Sequence, residues 1–137
     1  MILLDTCVIS EAIKSEPESR VLDWLDTIDE DALYLSVIVL GELHRGIELL
    51  DESGKKSALR VWFEQLRERF ADRILDIDAG TMLIWGELSA RLKKEGAPTA
   101  IMDSLTAACA IRHNALLATR NTKDFERTGV HLTNPWT

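Results

Sequence analysis

Short apolar runs alternate with amphipathic segments along this chain. Such runs are typical of buried parallel strands, and five are present: Met1–Leu4, Ala32–Leu35, Arg73–Ile77, Ala115–Thr119 and Val130–Leu132. Between them, apolar side chains recur at helical spacing. This spacing predicts helices over Cys7–Lys14, from Pro17 to Ile28, from Ser36 to Leu50, over Lys55–Phe70, Thr81–Lys94 and Ile101–Arg112, with a loop or short helix over Asn121–Arg127.

Strands that alternate with helices predict a parallel sheet covered on both faces, because each right-handed crossover places its helix against the sheet. The expected fold class is therefore α/β, a three-layer α/β/α domain with a central parallel sheet of four to five strands. A chain of 137 residues, 46% of them hydrophobic, is long enough for one core. We expect residues 1–137 to form a single domain without a linker.

No stretch approaches the roughly 20 apolar residues of a membrane span, and the chain opens on a strand-like run without a basic leader region. We therefore expect a cytoplasmic protein that has no membrane partner. The two cysteines, Cys7 and Cys109, lie in apolar helical patterns and are interpreted as buried thiols of a reducing compartment.

The net charge limits the ways in which this protein could bind nucleic acid. Sixteen basic and 23 acidic residues give a net charge of -7, which is the wrong sign for a protein that holds nucleic acid by general electrostatic attraction. A plain binding module would need a basic face. Divalent cations on clustered carboxylates would instead cancel negative charge locally.

Four carboxylates are predicted to meet at one edge of the sheet, because ligands of open parallel sheets bind outside the carboxyl ends of the strands. Asp5 ends the first strand, and Asp124 follows the fourth. Glu42 lies six residues after Ser36 on a helix that leaves the same edge, about 9 Å along its axis. Asp103 lies in the first turn of a helix that leads into the fourth strand, so this turn also starts at that edge.

Such a cluster needs a cation, because carboxylates about 4 Å apart repel one another by roughly 1 kcal/mol in water and by more at a partly buried site. Carboxylates completed by water suit Mg²⁺ or Mn²⁺. Zinc would require Cys and His spacing that is missing here. The three histidines, His44, His113 and His131, are scattered and are interpreted as surface or supporting residues.

Ordinary structural roles compete with the functional ones. Asp103 could be only a favourable acid in a first helical turn. A capping role at Asp5 would be met as well by the adjacent Thr6, which favours a functional interpretation of Asp5. Asp78 directly precedes a helix and is predicted to be a cap. Three tryptophans on separate helices, Trp24, Trp62 and Trp85, are expected to be core residues or interface anchors.

Four motifs in this order carry a resemblance to a known family. They are Ile2–Glu11 (ILLDTCVISE), Leu35–Ile47 (LSVIVLGELHRGI), Asp103–Ala110 (DSLTAACA) and Leu117–Phe125 (LATRNTKDF). Together they resemble the PIN domain of the VapC toxin family, most closely its FitB-like branch. The resemblance extends from Ile2 to Trp136.

This resemblance implies the toxin of a type II toxin-antitoxin module. It implies an endoribonuclease that depends on Mg²⁺ or Mn²⁺ and hydrolyses RNA phosphodiester bonds. It also implies a homodimer, and a cognate DNA-binding antitoxin that blocks the active site.

The resemblance assigns a role to each matching residue. Asp5 and Asp103 would bind the principal metal, Glu42 would share it or orient the attacking water, and Asp124 would act through water or a second ion. Many PIN domains have Asp where this chain has Asn121, which becomes a neutral hydrogen-bonding helper. The number of metals therefore stays open, as does the choice between Asn121 and Asp124 as the effective fourth residue.

Four neighbours of these acids are candidates for supporting roles. Thr6 and Ser36 would hydrogen-bond the carboxylates, although helix capping is an equal alternative for both. Arg120 and Lys123 would contact the substrate phosphate, with a role as solvated loop charges equally open.

Two other functions fit less well. A receiver domain would have paired acids after the first strand and a lysine after a late one, whereas Asp5 is followed by Thr6 and Cys7. A non-catalytic regulatory or binding domain that acts through a DNA-binding, antitoxin-like partner remains an alternative. The RNA that is cut and the identity of the antitoxin are not encoded in motif spacing.

Overall fold

Five parallel strands form one sheet in the computed structural model, which describes all 137 residues. The strands are β1 (Ile2–Leu4), β2 (Leu33–Ser36), β3 (Ile74–Leu75), β4 (Leu116–Ala118) and β5 (His131–Thr133), arranged in the order β3-β2-β1-β4-β5. The predicted α/β class and its parallel sheet are confirmed. Because β1 is central and β4 is its neighbour, the ends of these two strands lie side by side.

Seven helices connect the strands. They are α1 (Thr6–Glu11), α2 (Ser19–Thr27), α3 (Val37–Glu48), α4 (Gly54–Arg69), α5 (Ala79–Lys94), α6 (Ile101–Arg112) and α7 (Thr122–Phe125), with single 3-10 turns at Glu30–Ala32 and Glu126–Thr128. The segment Asn121–Arg127, left open as a loop or short helix, contains α7.

Two buried clusters cover the two faces of the sheet. Leu4 and Ala118 belong to one cluster, whereas Leu3 and Leu117 belong to the other. Consecutive strand residues therefore point to opposite faces and are buried on both. This is the packing expected of the middle layer of three.

Most predicted boundaries differ from the structure by one or two residues, and three differences have a local physical reason. The first helix ends at Glu11 and not at Lys14, because residues 12–14 continue in tighter turns whose N–H groups bond three residues back. Ala32 belongs to a 3-10 turn that Asp29 caps, so β2 begins one residue later. The edge strand β3 has only two paired residues, since its sole strand neighbour is β2.

Two predicted or candidate caps are present. Ser36 Oγ accepts a hydrogen bond from the Val39 N–H (3.3 Å) at the start of α3. Asp78 Oδ1 accepts from both the N–H and the hydroxyl of Thr81 (2.8 Å each) at the start of α5. These two bonds, followed by the nearby Arg112 guanidinium, hold the pKa of Asp78 below its usual value.

The tryptophans and Cys109 pack within the fold, whereas Cys7, also predicted to be a buried thiol, is only partly buried because it lies at the edge of the sheet. Trp24 and Trp62 lie against the Leu4 cluster, and Trp85 Nε1 donates to Ser104 Oγ at 2.9 Å. Cys109 is fully buried, and burial raises the pKa of its thiol to about 11. None of the helices has the length and apolar composition needed to cross a bilayer.

Arg73 is a buried cation that joins β2, α4 and β3. Its guanidinium donates to the backbone carbonyls of Leu33 (2.7 Å) and Arg69 (2.9 Å) and also to that of Glu30. It lies over the Phe70 ring, 4.6 Å from the centroid. One side chain therefore satisfies three carbonyls where the edge strand is too short to do so.

We expect Arg73→Met to lower the free energy of unfolding by about 2 to 4 kcal/mol, because three carbonyls lose a charged donor in a buried place. The matched control is Arg69→Met, whose side chain is 62% exposed and pairs with Glu30 at the surface; it should cost less than about 1 kcal/mol. Urea unfolding of both variants measures the difference. Equal losses would contradict the structural role assigned to Arg73.

Candidate active site

Asp5 lies at the carboxyl end of the central strand and is almost buried. Its backbone N–H donates to the Ala118 carbonyl (3.0 Å), which extends the β1–β4 pairing by one residue. Its Oδ1 accepts from the Thr6 N–H (2.9 Å), so Asp5 is itself the N-cap of α1. Thr6, an equally good candidate for that cap, is instead the first residue of the helix, so Asp5 combines the cap with its place at the sheet edge.

Thr119 is a further polar residue at this edge, one that the sequence interpretation missed. It is fully buried, and its hydroxyl donates to Asp5 Oδ2 at 2.8 Å. Thr119 Oγ1 also accepts a hydrogen bond from the Asn121 N–H at 3.1 Å. The signal was available, because Thr119 ends a predicted parallel strand just as Asp5 does.

The Cys7 thiol lies beside these two residues. Its Sγ is 3.8 Å from Asp5 Oδ2 and 3.7 Å from Thr119 Oγ1, and the Arg120 N–H donates to it at 3.5 Å. Burial, with a smaller contribution from the Asp5 charge, raises the pKa of Cys7 despite the Arg120 N–H. The thiol is therefore protonated near neutral pH and acts as a weak donor to the carboxylate.

Glu42 and Thr6 are joined across the mouth of the site. The Thr6 hydroxyl donates to Glu42 Oε1 at 2.8 Å, although the two residues belong to α1 and α3. Ser36 acts as a helix cap and does not bind a carboxylate. Its Oγ is fully buried in the cap of α3, and no hydrogen bond links it to any of the four carboxylates.

Asp103 and Asp124 line one cleft of about 320 Å³, together with Lys123 and Arg127. The pKa of Asp103 lies above its usual value, first because partial burial disfavours the charge. The other three acids, Asp5, Asp124 and Glu42, raise it further by repulsion. All four predicted carboxylates are therefore near enough to interact electrostatically at this edge of the sheet.

No arginine or lysine neutralises this cluster directly. The ion pairs of the protein, defined by N···O distances up to 4 Å, involve other acids and include none of the four. No imidazole joins the cluster either, since His44 stacks on Phe63 with ring centroids 5.6 Å apart. The donor set is thus made of oxygens, which suits a hard divalent cation and not zinc.

The side chains of the four acids do not converge on a single point in this structure. No three His, Cys, Asp or Glu side chains are gathered closely enough to hold a metal ion. Asp5 is nearly buried and held by Thr6 and Thr119, whereas Glu42 and Asp124 are exposed to solvent. The donor chemistry fits Mg²⁺ or Mn²⁺, and the exposed carboxylates are the ones with freedom to close around it.

The two predicted phosphate contacts differ in their surroundings. Lys123 lines the cleft that contains Asp103 and Asp124. The Arg120 guanidinium instead lies over the Trp136 ring, 5.5 Å from its centroid. Asn121 contributes its backbone N–H to Thr119, and its exposed side chain makes no capping bond to α7.

Comparison with known proteins identifies the family. The PIN domain family matches residues 2–130. Among curated relatives, the toxin FitB of Neisseria gonorrhoeae is 39% identical over 137 residues, which cover 99% of each chain. The VapC ribonuclease Y4jK of Sinorhizobium fredii is 35% identical over 99% of this chain and 98% of its own.

The fold comparison agrees with the sequence comparison. The structure of FitAB bound to an IR36 DNA fragment superposes with a TM-score of 0.95 and 38% identity, covering 100% of this chain and 96% of that one. The backbone is therefore shared with that structure over the whole length of this chain. The chain belongs to the PIN-domain family, among proteins of the FitB and VapC type.

Proposed function

We propose that this chain is the toxin of a type II toxin-antitoxin module and an endoribonuclease. In this proposal, Asp5, Glu42, Asp103 and Asp124 form the active site. The observation that carries it is electrostatic: four carboxylates, none of them in an ion pair, lie near one edge of the sheet of a PIN domain, and burial together with the charges of Asp5, Asp124 and Glu42 raises the pKa of Asp103. Relatives named as a toxin and as a ribonuclease support the same activity.

A divalent cation, Mg²⁺ or Mn²⁺, is part of this proposal. Asp5, Asp103 and Glu42 would hold it, with Asp124 acting through water or a second ion. When bound, such an ion lowers the pKa of a coordinated water and stabilises negative charge on the phosphoryl oxygens.

Hydrogen bonds within the chain orient two of the proposed metal ligands, Asp5 and Glu42. Thr119 and Thr6 fix the two oxygens of Asp5. Because the Thr6 hydroxyl engages Glu42 Oε1, the other oxygen of this exposed carboxylate can accept a proton from the attacking water. Lys123 beside Asp103 and Asp124 would offset the charge of the substrate phosphate. Attack would form a P–O bond to the water oxygen and break the P–O bond to a ribose oxygen, which takes a proton from solvent and leaves as a hydroxyl.

The partners follow from the same family membership. FitAB was solved as a complex on DNA, and we propose that this chain likewise binds a DNA-binding antitoxin that covers the acidic site. A homodimer remains a prediction. Exposed apolar side chains on α5 and α6, among them Leu83 and Ile101, offer a surface for it. We place the RNA cleavage in the cytoplasm.

Cleavage tests the catalytic proposal directly. Expressed without its antitoxin, the chain should arrest growth, and Asp5→Asn or Asp103→Asn should relieve the arrest at equal protein level because each removes a proposed metal ligand. Asp51→Asn is the matched control, since Asp51 is exposed and forms no ion pair. RNA cleavage by purified protein should stop in EDTA and return with Mg²⁺ or Mn²⁺. Unchanged toxicity in both site variants would support the non-catalytic alternative.

Stability distinguishes a functional acid from a helix-start acid. In EDTA at low salt and neutral pH, Asp103→Asn should raise the free energy of unfolding by about 0.5 to 1 kcal/mol, because it removes repulsion that solvent partly screens. Since the pKa of Asp103 is raised in the folded state, its charge costs stability at neutral pH. The cost disappears as the pH falls through that raised pKa, so the gap between variant and wild type should close in acid.

Thermal unfolding measures this gap, with Asp51→Asn as the reference. A lower stability of Asp103→Asn than of wild type across this pH range would mean that the carboxylate serves α6 and not a site.

Thr119 is expected to position Asp5 for the cation. Thr119→Val should weaken Mn²⁺ binding by about 10- to 100-fold, because Asp5 Oδ2 loses its hydroxyl donor, and Thr119→Ser should restore most of the affinity. Thr81→Val is a matched control: Thr81 is equally buried, and its hydroxyl donates to the Asp78 carboxylate at the same distance of 2.8 Å. Calorimetric Mn²⁺ titration of the three variants would refute the role if Thr119→Val bound as tightly as Thr81→Val.

A further inference from the structure

The first turn of α6 separates two depressions. The Lys123 cleft, of about 320 Å³, contains Asp103 and Asp124 together with Lys123 and Arg127. The Arg45 cleft, of about 410 Å³, contains Thr6, Glu42, Arg45 and Met102. Because the consecutive residues Met102 and Asp103 line different depressions, this turn is a ridge between them. Each cleft contains at least one proposed active-site acid and at least one cationic side chain.

The cations of the two clefts are unpaired. Elsewhere in the protein, Arg60, Arg67, Arg69, Arg91 and Arg112 each lie within 4 Å of a carboxylate of the same chain. Arg45, Lys123 and Arg127 are exposed and take part in no such pair. In a chain of net charge -7, positive side chains that lie beside acids and yet remain unpaired are available to an external anion.

Both sets of cations stand on firmly held backbone. The Arg91 guanidinium donates to the carbonyl oxygens of Arg127 (3.1 Å) and Thr128 (3.4 Å), which ties this segment to α5. Phe125, between Lys123 and Arg127, is fully buried. On the other side, Arg45 follows Glu42 by three residues on α3, so the two share one face of the helix.

We propose that a single RNA strand crosses the α6 ridge, with Arg45 binding a backbone phosphate on one side of the scissile bond and Lys123 with Arg127 binding a phosphate on the other. Guanidinium groups suit this task because their donors match phosphate oxygens in a bidentate arrangement. The inference rests on the proposed ribonuclease function and adds Arg45 and Arg127 to its substrate contacts. A polyanion that repeats its charge along the chain is the ligand that can occupy both clefts at once.

Salt dependence of RNA binding tests this path. All proteins carry Asp5→Asn to prevent cleavage, and the probe is a fluorescein-labelled single-stranded oligouridylate followed by anisotropy in Mg²⁺ over a series of salt concentrations. For single strands the slope of log K against log salt is about -0.7 for each phosphate neutralised. We expect Arg45→Gln to reduce its magnitude by about 0.7 and the pair Lys123→Gln with Arg127→Gln by up to about 1.4, each with weaker binding.

The control is Lys55→Gln, an exposed lysine without an ion pair that lines a different depression; it should keep the slope of the parent protein. Parent-like slopes in both sets of cleft variants, or an equal reduction in Lys55→Gln, would overturn the proposed path even where the wild-type protein still cleaves RNA. Absence of any binding by the parent, together with absence of cleavage by the wild type, would overturn the ribonuclease proposal as well.

Discussion

The pairing of β1 with β4 is the interaction on which the site depends. The register that places Leu4 opposite Ala118 brings the next residues of both strands, Asp5 and Thr119, into hydrogen-bonding contact. A slip of one residue would turn every strand side chain to the other face. Leu3 and Leu4 would then each face the opposite helix layer, and Asp5 and Thr119 would no longer be adjacent. The apolar packing of both sheet faces thus fixes the position of the carboxylate.

The acids differ in how the fold accommodates their charge. Asp5 is almost buried, but both of its oxygens accept hydrogen bonds, so burial leaves no unsatisfied group. Glu42 and Asp124 are exposed to water. Asp103 lies between these extremes, and partial burial followed by repulsion from the other three acids raises its pKa. A partly buried carboxylate near other carboxylates is unfavourable for stability, and such unfavourable arrangements are common at ligand-binding sites.

The sequence predicted the sheet, and the approach of the four acids to one edge of it, because topology alone places strand ends and the starts of the connecting helices at that edge. The sequence was less informative where contacts between distant residues determine the length of an element or the role of a side chain. Beside the short strand β3, the Arg73 guanidinium donates to the backbone carbonyls of Glu30 and Leu33. The pattern of hydrophobic residues along the chain does not predict such a contact. Whether Ser36 bonds a carboxylate or only caps α3 is a matter of side-chain rotamer. Thr119 was overlooked because threonine in an apolar run fits a strand equally well by β-propensity.

The net charge of -7 is a poor guide to what the site attracts. Charges separated by more than a Debye length, about 8 to 10 Å at ordinary ionic strength, are largely screened from one another. Several of the acids outside the site, among them Glu48, Glu64 and Glu95, already pair with an arginine of the same chain. A phosphate near α6 therefore experiences mainly the four carboxylates and the unpaired cations beside them. A divalent ion would shift that local balance towards attraction, so an acidic protein can bind RNA at this edge without a basic face elsewhere.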